Sequence, residues 1–160
     1  MNKYSNEKKL VATEQCAWMR PPSSLTEVCA IVDPTTEIFV APALSNRFAD
    51  TAQFALLSLK DIESLRREWV ASVSSNGGRG IHDMTEIEQV LSQLPAQCRL
   101  ALCTQTVRSL DWIGSVCGHP CRMILSPDSL PDVTCQIEEA TRTVQTALCE
   151  AVSRRWRDCI

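Results

Sequence analysis

The chain has no excess of basic charge: 16 Lys and Arg stand against 19 Asp and Glu, a formal net charge of −3. Holding a phosphate backbone takes a concentration of cations that release its counterions, so nucleic acid is not an expected partner. No apolar run approaches the roughly 20 residues that a bilayer requires. The opening MNKYSNEKKLVATEQC has lysines but no apolar stretch behind them. The expectation is a soluble, cytoplasmic protein without a membrane partner.

Histidine is also scarce, with only His82 and His119. Neither belongs to a Ser/His/Asp order or a paired-carboxylate spacing, so loop histidines without hydrolytic chemistry are expected. A phosphate loop is missing too. The Gly-rich stretch Asn76-Gly77-Gly78-Arg79-Gly80 lacks the G-x-x-x-x-G-K-S/T pattern, and it follows a helical pattern instead of opening one from a strand. Its expected role is a helix C-cap and turn, with glycine where positive φ is needed. No catalytic residues are assigned, and the protein is not expected to be an enzyme.

What is present is 44% apolar residues in 160, enough to bury one core. Nine cysteines, an odd number, sit inside apolar segments such as VCAIV, CRLALC and TALCEAV. That placement predicts reduced, buried thiols packing as small hydrophobes. Cys98, Cys103, Cys117, His119 and Cys121 together have ligand types for tetrahedral zinc. Cys98 and Cys103 flank one strand with opposite side-chain directions, however, so no metal is expected. Cys117 and Cys121 have the separation of a redox pair without an evident setting that lowers a thiol pKa.

The apolar pattern organises the rest. Residues 1–22 are expected as a loosely ordered tail, 23–127 as an α/β domain and 128–160 as a C-terminal helical extension. Val28–Val32, Phe54–Leu59, Arg99–Cys103 and Arg122–Leu125 are short, continuous apolar runs, as in strands of a parallel sheet covered on both faces. Between them lie helical patterns. Ile62, Leu65, Trp69, Val70 and Val73 form a stripe behind Asp61 as N-cap; Thr85 and Glu88 form a capping box ahead of a helix that Pro95 stops; Val107–Val116 gives a shorter helix. EIFVAPALSNRF fits a strand by propensity and a helix by period, and the helix is preferred despite Pro42. The last pattern has Val133, Ile137, Val144, Leu148, Val152 and Trp156 on its apolar side, with Arg154, Arg155 and Arg157 near the negative end of the helix dipole. Strands alternating with helices predict a three-layer, mostly parallel sheet with helices on both faces.

The order of these pieces resembles the SulA family, the cell division inhibitors of the bacterial SOS response to DNA damage. The likeness runs over residues 25–127, from LTEVCAIVD through FALLSLKDIESLRREWVAS to SLDWIGSVCGHPCRMILSP, and its most specific piece is Leu65-Arg66-Arg67-Glu68-Trp69-Val70. The resemblance implies a RecA-like fold without its phosphate loop, no cofactor, a homodimer, removal by the Lon protease, and binding to FtsZ that blocks polymerisation and so septation. Carried over by position, the family's inhibitory Leu, Trp and Lys fall on Leu59, Trp69 and Arg79; its strand Arg falls near Gln53 or Phe54, neither of them basic. Trp and Arg dominate interface hot spots, so Leu59, Arg66, Arg67, Trp69 and Arg79 are the candidate partner-binding residues. By its stripe position alone, Trp69 is also a core candidate. Two other readings stay open: a RecA-like accessory protein of recombination or translesion synthesis, and a zinc or redox protein using the Cys117–Cys121 stretch.

Overall fold

The computed structural model describes residues 13–75, 84–105, 107–125 and 133–159. It is an α/β protein with a five-stranded mixed sheet. The strands are β1 (Cys16–Arg20), β2 (Val28–Val32), β3 (Phe54–Leu59), β4 (Arg99–Thr104) and β5 (Cys121–Leu125), in the spatial order β1-β3-β2-β4-β5. β2 to β5 are mutually parallel, and β1 lies antiparallel on the β3 edge.

Side-chain alternation divides the core in two. Cys29, Ile31, Ala55, Leu57, Leu59, Leu100 and Leu102 point to one face; Val28, Ala30, Val32, Phe54, Leu56, Ala101 and Cys103 point to the other. All of these are buried, which is why the strands read as continuous apolar runs without polar alternation.

Helices α2 (Ile62–Ser74) and α3 (Glu86–Leu91) join the first cluster through Leu65, Ile87, Val90 and Leu91. The expected capping box is present: Thr85 Oγ1 accepts from the Glu88 amide and Glu88 Oε2 from the Thr85 amide. The single helix expected over Val107–Val116 is broken into α4 (Val107–Leu110) and α5 (Gly114–Cys117), and both Trp112 and Ile113 in the intervening turn are buried. Gly118 closes α5 with a φ of 73°, the left-handed conformation a side chain resists.

Helices α1 (Glu37–Arg47) and α6 (Val133–Asp158) cover the second cluster and pack on each other. EIFVAPALSNR is thus a helix. Pro42 removes the hydrogen bond to the carbonyl of Ile38, and both residues are exposed, so solvent serves the freed oxygen.

Three expectations are corrected. The stretch read as a tail contributes β1 at its far end. Cys16 enters the first cluster, and Arg20 fastens the strand by donating to the carbonyls of Phe48 and, at 2.8 Å, Thr51. A register shift between Trp18 and Arg20 bends this edge strand, which blunts pairing with another chain. The α2 stripe is narrower than its period suggested: Leu65 is buried, Ile62 and Trp69 lean on the core, and Val70 and Val73 are exposed. The buried face of α6 is rotated from the one expected. Gln136, Ala140, Thr143, Val144, Ala147 and Ala151 face inward, while Val133, Val152 and Trp156 are exposed. Alanine brings the helix axis close to the sheet, where larger side chains would hold it off. Residues of the expected C-terminal extension therefore supply part of the layer that covers Val28, Ala101 and Ile124.

That rotation is testable. Ala140→Leu should destabilise the protein by about 1–3 kcal/mol through overpacking, whereas Val152→Ala should stay within about 0.5 kcal/mol of the parent, as read by urea unfolding.

Candidate partner-binding surface

α2 starts where β3 leaves the sheet. Asp61 caps it, Oδ1 accepting from the Ser64 amide at 3.0 Å, and Leu65 anchors it in the first cluster. One turn on, the Trp69 ring stacks on Trp112 with centroids 5.7 Å apart and planes inclined by 29°. Trp112 is buried and its indole N–H donates to the Ser109 carbonyl at 2.9 Å. Trp69 is half-buried, so its core role and its availability at the surface coexist.

Arg66, Trp69, Val70 and Val73 have the i, i+3, i+4, i+7 spacing of one helix face. Val70 is 45% and Val73 56% exposed. Arg67 is exposed beside them, its Nε donating to the Glu63 carbonyl at 3.4 Å, and Arg66 is half-buried. Leu59 does not join this surface. It is fully buried because alternate residues of β3 point under α2, so it supports Leu65 from beneath and cannot meet a partner. Arg79, the NGGRG loop and His82 lie outside the described residues.

A second locus was missed in the sequence. Open α/β sheets bind ligands outside the carboxyl ends of their strands where the connections diverge, here beyond β2 and β4. Asp33, 3% exposed, stands at that point. Its Oδ1 accepts from the amides of Thr35 and Thr36, both at 3.0 Å, and from the Thr35 hydroxyl; its Oδ2 accepts from the Thr104 hydroxyl at 2.7 Å. The Thr36 hydroxyl donates to the Cys103 carbonyl at 2.9 Å. These bonds lock the turn into α1 against the end of β4. The space left there, bordered by Thr36, Thr104 and Gln136, is about 10 Å³, no more than one water requires. The signal for this turn was Asp33-Pro34-Thr35-Thr36 directly after an apolar run, a pattern that starts helices through side-chain acceptors.

The expectation of mostly buried thiols is corrected: Cys16, Cys29, Cys98 and Cys103 are buried, whereas Cys117, Cys121, Cys159 and Cys149 of TALCEAV are exposed and Cys135 lies between. Cys98 belongs to the first cluster and Cys103 to the second, so the strand separates them as their spacing predicted. Burial pushes the thiols of Cys16, Cys98 and Cys103 up to about 12 and raises that of Cys29 well above its ordinary value. Cys117 and Cys121 are also raised by desolvation, with the Glu88 charge adding to the effect at Cys117. His119 is buried, its Nδ1–H donating to the Cys98 carbonyl at 3.1 Å, and so pins the turn before β5. Among the described residues no three His, Cys, Asp or Glu side chains are grouped to hold a metal ion. Nor is any described helix long and apolar enough to cross a membrane.

Scans against protein-family models, curated proteins and solved structures find no match to this chain.

Two outcomes follow from this geometry. Asp33→Ala strands several buried donors and should cost about 3 kcal/mol in urea unfolding. Thiol titration of the native protein near pH 8 should modify Cys149 and Cys159, which are exposed, while Cys16, Cys29, Cys98 and Cys103 react only on unfolding, because only the thiolate attacks the reagent.

Proposed function

We propose that the protein inhibits cell division by binding FtsZ and blocking its polymerisation during the SOS response, on a RecA-like three-layer fold, without catalysis or cofactor, as a cytoplasmic homodimer and a substrate of Lon. The observation that carries this reading is Trp69, which sits in the stretch most specific to the SulA resemblance. It is held rigid by Trp112 yet half-exposed beside Val70, Val73 and Arg67.

A rigid aromatic with an apolar surround and cations at its edge has the composition of a protein-binding hot spot. Inhibiting assembly requires only occupancy of the partner's polymerising face, and the cations then add to association rate and specificity. The ends of β2 and β4 support the same reading, since among the described residues both Asp33 oxygens there are taken up by hydrogen bonds within the fold. Leu59 takes no part in the proposed contact.

The test is GTP-dependent FtsZ assembly followed by sedimentation. Pelletable polymer should fall towards zero as this protein reaches one-to-one stoichiometry. Arg67→Glu and Val73→Asp change exposed residues and should raise the concentration for half-inhibition by about tenfold or more, with native circular dichroism. Trp69→Phe keeps an aromatic on Trp112 and should weaken inhibition without unfolding. Unchanged polymer with FtsZ from the same organism would sink the proposal.

A further inference from the structure

Five arginines line one open cavity of about 760 Å³ that runs along α6. Arg47 comes from the last turn of α1, Arg99 from the start of β4, and Arg142, Arg154 and Arg157 from α6 itself. Only two acidic residues, Glu138 and Glu150, share the walls, in a chain whose net charge is −3. Arg99 pairs with Glu150, and Arg142 with Glu139 just outside. Among the described residues Arg47, Arg154 and Arg157 have no ion-pair partner.

Arg154 adds a second, independent observation. Its Nε and Nη2 are shut away from solvent without a hydrogen-bond acceptor. A guanidinium has five N–H donors and cannot lose its proton, so an unmet pair of them favours a turn of the side chain that brings them out to an acceptor. Compensation of the helix dipoles accounts for arginines near the ends of α6 and α1, but not for their sharing one cavity with Arg99 of β4.

The cavity falls in the range of small-molecule sites. The planar guanidinium fork matches phosphate oxygens in pairs, which makes arginine the favoured group for that anion. We propose that this cavity binds a small phosphorylated ligand carrying at least two phosphate charges, gripped by Arg154, Arg47 and Arg157. It lies on the sheet face opposite Trp69 and does not rest on the division-inhibitor reading.

The test is calorimetric titration of the full chain with pyrophosphate and with tripolyphosphate at physiological salt. The expected result is saturable one-to-one binding that Arg47→Gln and Arg157→Gln, both at exposed positions, each weaken about tenfold, with Lys60→Gln unchanged. Arg154→Lys, which keeps the charge and loses the fork, should weaken binding as well. Absence of saturable heat, or equal affinity in the Arg47 and Arg157 variants, overturns the proposal. So does a short single-stranded oligonucleotide that competes more tightly than either phosphate compound with a steep salt dependence, since the site would then belong to nucleic acid.

Discussion

Burial of β2 and β3 on both faces is the constraint on which the rest of the molecule depends. Neither strand exposes a side chain, so each face of the sheet needs its own cover. α2, α3 and the α4–α5 segment supply one cover; α1 and α6 supply the other. This gives α6 its place: without it Val28, Ala30, Ala101 and Ile124 would face water. The helix meets that demand with alanines and threonine where an amphipathic stripe of large residues would stand too far off.

Polar chemistry then holds the layers in register. Asp33 joins the β2–α1 turn to the end of β4, and at the opposite end of the strands Glu27, buried before β2, pairs with Arg155 of α6. Desolvating a carboxylate is tolerable when it is paired: both Asp33 oxygens accept hydrogen bonds, and Glu27 Oε1 accepts from Arg155. The consequence for function is that Asp33 is consumed by structure, whereas exposed apolar side chains and cations gather elsewhere: on the outer face of α2 and in the arginine-lined cavity of α6.

Much of this was legible in the residues. Continuous apolar runs predicted the four parallel strands, of which β2, β3 and β4 are buried while the edge strand β5 exposes Arg122; Thr85 with Glu88 predicted the start of α3, and Asp61 the start of α2, because period and capping are local properties. Other features were not legible. Cys16–Arg20 became an edge strand because β3 offered an unpaired edge, not because its own pattern called for one. Leu59 was chosen by position in a resemblance, yet strand alternation turned it inward. Trp112 as the platform for Trp69 is a contact across 43 positions of chain, beyond the reach of any window.

The sequence by itself determined the class of fold, the sites of four of the five strands, most helix starts and the burial of Cys29 and Cys103, since each follows from propensity, spacing or capping among near neighbours. Tertiary structure alone decided which face of α6 is inside, how much of the α2 stripe reaches the core, which carboxylate closes the crevice beyond β2 and β4, and which arginines share a cavity. Those outcomes depend on what each surface meets across the sheet, and burial is a property of the pair of surfaces that meet.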